Sequence, residues 1–386
     1  MEEAALKLQG NGEYNAAEPL FRKCLAIRQR ALGAEHIDTL AAINNLANLL
    51  HDRGENAEAE TLHRACLEAR ERTLGPDHPH TLASLTNLAL TLGAKGDFAG
   101  AEPLHRRAWE TMKRVKGPAD GDTLSALNNL AGVLSDMGDY RAAEPLYRQL
   151  VSALQTAFGS EHPATLAGEG NLANFLLRKG DYIYAGPIYE RCLEIRERVQ
   201  GRDHPETLLA LNNLAAYHLE ASHYPEAEAL FRRCLERRQA VLGPDHPQSL
   251  ATMQNLARAL RRKGALDAAE TMARSALAAH ERVLGASHPE TFDTKAVLAD
   301  ILRDRGNAAA AIPLYESALD GLAQSPGATH PHTLEVLYEF CVLRKNQRQL
   351  GEARRLGSEL VAGARRSLPA GNSDRQKYER FVESLR

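Results

Sequence analysis

The sequence predicts an all-α protein built as an α-solenoid, a stack of helical hairpins. Two observations support this fold class. A pattern recurs every 42 residues, as from Gly33 to Gly75, and apolar residues recur at helical spacing inside each repeat. Self-similarity at a fixed period of this length is typical of repeat proteins, in which each hairpin buries its apolar face against its neighbours.

Eight repeats follow a partial repeat at 1–31 without insertion or deletion. Their second residue is always glycine, which predicts a left-handed residue that ends the preceding helix. The repeats start at Leu32, Leu74, Lys116, Phe158, Gln200, Leu242, Leu284 and Pro326.

Each repeat predicts two helices, A and B. In the repeat of Gly75, apolar residues from Leu82 to Leu92 recur at helical spacing and predict helix A. Gly96 breaks this helix, and the same spacing resumes in helix B between Ala101 and Met112.

Small residues and prolines mark helix B. The position of Ala101 is alanine in all nine copies, which predicts a close contact between helices, because a larger side chain would overpack it. A recurrent proline predicts the first turn of helix B, where its missing N–H costs little. The prolines are Pro19, Pro103, Pro145, Pro187 and Pro313.

We therefore expect one solenoid domain at 1–367, with about eight and a half repeats, and a C-terminal capping helix at 368–386. Ser373 is a candidate N-cap for that final helix. Its apolar face, which would cover the open end of the stack, comprises Tyr378, Phe381, Val382 and Leu385.

The loop before helix A resembles a metal or catalytic site at first sight. In the repeat of Gly75 it contains Asp77, His78, Pro79 and Thr81. Histidine or its preceding acid can accept a hydrogen bond from a free N–H of the helix, and histidines of successive hairpins lie too far apart to share a metal. We interpret these residues as helix caps, not ligands.

Other chemical functions are disfavoured. Cys24, Cys66, Cys192 and Cys234 share one helix B position where other repeats have alanine, so they predict buried packing residues. No phosphate-binding, dinucleotide-binding or hydrolase motif occurs. A net charge of −3 gives no attraction to nucleic acid or to a membrane surface. We expect a cytoplasmic protein without enzymatic activity, cofactor or metal.

These features resemble the tetratricopeptide repeat, with its small residue in helix A, its turn glycine and its helix B alanine. The 42-residue period is similar to the kinesin light chain type, as are AEPLYR (143–148), CLEIRERV (192–199) and LNNLA (211–215). The resemblance implies a right-handed superhelix whose helix A side lines a concave peptide-binding surface. The heptad coiled coil of kinesin light chains has no counterpart here, so a motor-adaptor role does not follow.

One row of asparagines in helix A is a candidate binding site. We call Asn45, Asn87, Asn129, Asn171, Asn213 and Asn255 the asparagine row. The row is predicted to face away from the core, and mid-helix asparagine is unfavourable relative to alanine. In the resembled family such asparagines hold the backbone of an extended peptide, which suits an amide that both donates and accepts. Alternatively, asparagines of adjacent repeats bond to each other or to helix carbonyls, or duplication copied them without selection.

Neighbouring helix A positions would then set specificity. The arginines would add positive charge toward the C-terminal half and favour a ligand with an acidic segment. These candidates are Asn44, Asn48, Asn128, Asn174, Asn212, Gln254, Arg258, Arg261 and Arg262.

The sequence therefore predicts a scaffold that binds an extended peptide or partner segment. The alternative is a sensor, regulatory or oligomerisation region of a larger signalling protein, because Met1 begins partway through a hairpin. The sequence does not fix the oligomeric state.

Overall fold

The computed structural model describes residues 1–368 and 371–385, and over these residues the protein consists of helices without any strand. The predicted all-α fold is confirmed. The α-helices are α1 (Glu2–Gly10), α2 (Tyr14–Leu32), α3 (Ile37–Asp52), α4 (Asn56–Leu74), α5 (Pro79–Ala94), α6 (Phe98–Lys116), α7 (Gly121–Asp136), α8 (Tyr140–Phe158), α9 (Pro163–Lys179), α10 (Tyr182–Val199), α11 (Pro205–Glu220), α12 (Tyr224–Leu242), α13 (Pro247–Lys263), α14 (Leu266–Val283), α15 (Pro289–Asp304), α16 (Ala308–Leu322), α17 (Pro331–Asn346), α18 (Leu350–Ser367) and α19 (Ser373–Glu383).

Odd-numbered helices up to α17 are the A helices, and the even-numbered helices are their B partners. The chain forms two compact units, one of Met1–Asp139, Asp320–Glu335 and Arg354–Arg386, the other of Tyr140–Leu319 and Val336–Ala353. Consecutive helices pack on one another from α1 to α7 in the first unit and from α8 to α15 in the second. The predicted division into a solenoid and a cap stays a prediction, and its positions 369, 370 and 386 lie outside the described residues.

The core of each hairpin is built around the recurrent helix B alanine. All nine copies have no exposed surface, so the predicted close helix contact is confirmed. They are Ala17, Ala59, Ala101, Ala143, Ala185, Ala227, Ala269, Ala311 and Ala353. The cysteines Cys24, Cys66, Cys192 and Cys234 are buried beside them, as predicted.

The loop histidines cap the A helices. His78 Nδ1 accepts a hydrogen bond from the N–H of His80 at 3.2 Å, and His204 Nδ1 accepts from Glu206 at the same distance. Where Asp120 replaces the histidine, its Oδ1 accepts from Asp122 at 3.0 Å. The capping interpretation is therefore confirmed. The same contact recurs at His36, His162, His246, His288 and His330.

The glycine after helix B has a positive φ, but the predicted left-handed helical conformation is wrong. Gly75 has φ 89° and ψ 164°, an extended conformation that is essentially restricted to glycine. Thr81 Oγ1 donates to the Gly75 carbonyl at 2.8 Å, which ties this residue to the next helix. The left-handed cap occurs instead at the turn between A and B, as at Gly180 with φ 88° and ψ 9°.

Helix B also starts earlier than its proline predicts. Helix α6 begins at Phe98, so Pro103 is its sixth residue and lies in the second turn. In α6 the Asp97 carboxylate caps this early start by accepting from the Gly100 N–H at 2.9 Å, whereas α2 and α10, which contain Pro19 and Pro187, start equally early without a side-chain cap bond. The predicted first-turn position of the prolines is therefore wrong.

A C-terminal segment packs against the A–B turns of early repeats, within the first unit. Ser325 Oγ donates to the Gly54 carbonyl. The rings of His330 and Phe98 lie 6.2 Å apart, and a Cβ on Gly96 would come within 3.1 Å of the His330 Cα. These contacts link residues more than 230 positions apart, and the repeat pattern gave no sign of them.

Of the predicted apolar face, Tyr378 is 3 % exposed within α19, Phe381 and Val382 are half-buried, and Leu385, which lies after the helix ends at Glu383, is 3 % exposed. Its N-cap is Asn372, not Ser373, because Asn372 Oδ1 accepts from the N–H groups of residues 374 and 375 at 2.9 and 3.1 Å. Ser373 is already the first helical residue. Among the helices described, none is long and apolar enough to cross a membrane.

Candidate functional site

The asparagine row lies on neighbouring A helices. In the second unit α9 contacts α11 and α11 contacts α13, so Asn171, Asn213 and Asn255 occupy equivalent positions on adjacent helices. All six asparagines are half-buried, so the prediction that they face away from the core holds only in part. A half-buried amide can bond either inside the protein or to a ligand.

At the start of the row the amides bond inside the protein. Asn87 Nδ2 donates to Asn44 Oδ1 at 3.0 Å, and Asn45 Nδ2 donates to Glu2 Oε1 at 2.9 Å. In both pairs the acceptor lies 43 residues earlier, on the A helix of the preceding repeat. This is the structural alternative that the sequence left open, and it accounts for these two asparagines.

Several other predicted groove residues also have internal partners. Asn174 Oδ1 accepts from Tyr189 Oη at 2.5 Å, and Gln254 is buried against Asp293 and bonds to its carboxylate. Asn128 and Asn171 have polar partners too.

The predicted positive charge is largely neutralised within the chain. Arg258 Nη2 pairs with Asp293 Oδ1 at 2.8 Å, and Arg261 pairs with Asp300 and Asp304, each at 2.6 Å. Burial raises the pKa of Asp300 against the opposing effect of its arginine partners. Arg262 is exposed and makes no ion pair within 1–368 and 371–385.

Asn213 differs from Asn87 because the equivalent of its partner Asn44 is a glycine. The residue 43 positions before Asn213 is Gly170, which has no side chain to accept a bond. Within the described part of the chain, the Asn213 amide makes no hydrogen bond, and neither do those of Asn129 and Asn255. Asn48 is likewise half-buried without such a bond. The Asn212 Oδ1, one residue away from Asn213, is buried without a partner.

A pocket of about 80 Å³ lies beside Asn171 and Asn213. Its walls come from α9, α10 and α11 of the second unit. The lining residues are Leu166, Ala167, Gly170, Asn171, Tyr189, Cys192, Arg196, Glu206, Leu209, Ala210 and Asn213. The pocket therefore joins two members of the asparagine row and leaves the Asn213 amide on its wall.

Next to the pocket, Arg196 has a different partner from the corresponding arginines of two other repeats. Arg70 and Arg238, at the same helix B position, each bond to a hydroxyl on the next A helix: Arg70 Nη1 donates to Ser84 Oγ at 2.9 Å, and Arg238 Nη1 donates to Thr252 Oγ1 at 2.7 Å. Here the residue 14 positions after Arg196 is Ala210, which has no hydroxyl. Arg196 instead donates to Glu206 Oε2 at 3.1 Å, and the space next to Ala210 stays open.

The pocket offers no activated nucleophile. Burial raises the pKa of the Cys192 thiol to about 12, and the nearby Glu169 carboxylate contributes to the same shift. Glu169 is 1 % exposed and pairs with Arg191, while Gln155 Nε2 donates to it at 2.9 Å. Burial likewise raises the pKa of Tyr189. These directions do not suit nucleophilic or general-base catalysis at neutral pH.

Metal-binding geometry is absent from the parts of the chain that the structure describes: no group of three or more His, Cys, Asp or Glu side chains could hold an ion. The loop histidine Nδ1 atoms are already used as helix caps. The arrangement supports recognition of a ligand by amides and apolar walls.

The sequence identified Asn171 and Asn213 but missed the other pocket residues. Two departures from the repeat mark it: Gly170, where every other repeat has a side chain, and Leu209, where four of the other seven repeats have alanine. Comparing the repeats position by position would have drawn attention to both residues.

Two family models, both described as tetratricopeptide repeat, match the chain. One matches residues 38–114, 165–240, 223–282 and 249–324, which is more than half of the chain, and the other matches 5–38 and 123–164. No curated protein matches the sequence.

Solved structures with a similar fold include a Podosopora anserina putative kinesin light chain with nearly identical TPR-like repeats, which is 25 % identical, with 52 % of this chain and 95 % of that chain covered and a TM-score of 0.45. BtubC (BKLC) from P. vanneervenii is 21 % identical, with coverages of 60 % and 90 % and a TM-score of 0.46. The apo form of RapI is 13 % identical, with coverages of 74 % and 98 % and a TM-score of 0.53.

The repeating helical hairpins, the buried helix B alanines and the family models agree. This chain belongs to the tetratricopeptide repeat family.

Proposed function

We propose that this chain is a non-enzymatic scaffold that binds an extended peptide or partner segment along its A helices, centred on the pocket at Asn213. The observation that carries the proposal is the Asn213 amide, which lines a pocket and has no hydrogen bond to any of the residues that the structure describes. An asparagine side chain can donate to a peptide carbonyl and accept from a peptide N–H at once. Binding would account for a mid-helix asparagine that is otherwise unfavourable by about 0.7 kcal/mol relative to alanine.

The repeat architecture supports this function. Stacked hairpins present equivalent side chains at regular intervals, and such extended surfaces are what repeat proteins use for binding. Neither the pocket nor the histidine loops bring together groups suited to catalysis. No contact among the described residues favours the alternative regulatory or oligomerising role.

The proposed ligand is a protein or peptide, and only one arginine supports the further proposal that it carries an acidic segment. Arg258 and Arg261 are paired with aspartates, so the proposed acidic segment depends on Arg262 as its unpaired cation. An acidic residue of the ligand would have to lie near the end of α13 to meet it.

The test uses a phage-displayed library of random linear peptides selected on the whole chain. Selected peptides are then measured for capture by the wild type and by Asn213→Ala. We expect Asn213→Ala to weaken capture about tenfold, because the peptide loses at least one bond to a directed amide.

Asn87→Ala is the matched control, since Asn87 occupies the same row position but bonds to Asn44. It should change capture less than twofold. Equal capture by the wild type and Asn213→Ala, or equal losses in both variants, would contradict the proposal, as would a selection that yields no peptide.

A further inference from the structure

We infer that the pocket between α9, α10 and α11 takes one uncharged aliphatic side chain of the bound peptide, the size of leucine or methionine. This inference rests on the proposed function and specifies the ligand at its central position. It follows from the volume of the pocket, its charge balance and its rim.

The volume suits a single side chain. A cavity needs about 10–15 Å³ of such space per water molecule, so about 80 Å³ has room for roughly five or more water-sized groups. The four non-hydrogen atoms of a leucine side chain fit within that space. An extended peptide directs alternate side chains to one face, so one residue can enter while its backbone stays at the rim.

The charges in the pocket disfavour a charged occupant. The Arg196 side chain is only 5 % exposed, and its guanidinium is paired with the Glu206 carboxylate at 3.1 Å. An acidic side chain attracted to Arg196 would therefore be repelled by Glu206, which is paired with that arginine. A basic side chain would be repelled by Arg196. Either would lose water without gaining an unopposed partner.

Apart from the two asparagines of the row, the remaining walls are mostly apolar. The Leu166 side chain and the Tyr189 ring are each 2 % exposed, and Ala210 and Gly170 add no polar side-chain atom. Leu209 lies at the rim and is 44 % exposed, although four of the other seven repeats have alanine there. An aliphatic side chain would cover Leu209 and displace water from these walls, which is favourable in proportion to the apolar area buried.

Filling the pocket tests the inference without touching Asn213. Gly170→Leu is suitable because a Cβ at Gly170 would meet no atom within 4 Å, so the side chain starts in open space. Gly93→Leu is the matched control, since Gly93 is also a helix A glycine with nothing within 4 Å but lies away from the pocket. Circular dichroism checks that both variants fold.

Library-selected peptides are resynthesised with leucine, alanine, aspartate or lysine at each position. For the wild type and Gly93→Leu, we expect one position where leucine binds about tenfold or more tightly than the other three residues. In Gly170→Leu this preference should fall to about twofold, because the introduced side chain occupies the pocket.

Each outcome separates the inference from the function beneath it. If peptides bind and need Asn213 but show no aliphatic preference, the inference fails while the proposed function stands. A preference for a charged residue, or a leucine preference that survives in Gly170→Leu, also overturns the inference. If no peptide binds, both fail.

Discussion

Gly96 lies at the A–B turn where the C-terminal segment packs, and replacing it measures that packing. Its φ is 76°, and a Cβ there would come within 3.1 Å of His330 Cα and 3.4 Å of His330 Cβ. Gly306 is the matched position, with φ 80° and nothing within 4 Å of a Cβ. Both Gly96→Ala and Gly306→Ala should lose about 1 kcal/mol from the positive φ.

Gly96→Ala should lose about 1–3 kcal/mol more, because the nearest contacted atom, His330 Cα, belongs to the backbone and cannot simply rotate away. Hydrogen exchange reports the local free energy of opening. We expect faster exchange at 320–335 and 371–385 in Gly96→Ala only. The fluorescence of Trp109, the single tryptophan, follows unfolding of α6 in the same unit. Equal destabilisation by the two substitutions, with unchanged C-terminal exchange, would refute the packing described here.

Two further predictions concern buried ionisable groups. Burial lowers the pKa of His63 and His105 to about 4. Below a pH of about 6.5 these histidines therefore become protonated in the unfolded state but stay neutral in the folded state. The free energy of unfolding should fall as the pH decreases toward 4, by up to about 1.4 kcal/mol per pH unit for each histidine. Replacing both by phenylalanine, as at Phe21 in the first repeat, should reduce that fall in urea titrations at pH 7 and 5; an unchanged fall would contradict the assignment. Arg191→Ala should destabilise by about 1–3 kcal/mol because it leaves the Glu169 carboxylate buried with one partner fewer, whereas Glu169→Leu, which restores the leucine of other repeats, should be neutral or stabilising. Equal effects of these two changes on urea unfolding would argue against a buried ion pair.

Local features of the fold were predictable from the sequence because they recur in each repeat. The helix B alanines such as Ala101 and the caps such as His78 depend on residues a few positions apart, and their recurrence removes ambiguity. The errors are local as well. Glycine after helix B indicates a positive φ but leaves ψ open, so Gly75 was assigned the wrong conformation. Pro103 was assigned to the first turn of helix B, but the helix already begins at Phe98, five residues earlier.

The non-local features could not be predicted from the repeat. The contact between Gly96 and His330 joins segments that share no pattern, and nothing in either segment indicates the other. From the sequence, Gly96 was interpreted only as the residue that breaks helix A. In the structure, its missing side chain also lets the His330 backbone approach the turn closely.

The candidate site could be predicted from the sequence only in part. The sequence identified Asn87 and Asn213 as equivalent, but the structure separates them, because the bond runs to a residue 43 positions earlier and not 42. That offset makes Asn44 the partner of Asn87 and Gly170 the missing partner of Asn213. Once the offset is known, the missing side chain at Gly170 can be found in the sequence, whereas the unbonded amide of Asn255 cannot, because Asn212 lies 43 positions before it.

Hydrogen exchange on the complex with a library-selected peptide tests the central claim most directly. If the peptide lies at the pocket, exchange should slow in α9 and α11 at sites near Asn171 and Asn213, and it should stay unchanged in α3 and α5, where the row is bonded internally. Protection confined to α3 and α5, or to helix B surfaces, would contradict the claim that the free Asn213 amide and its pocket form the binding site.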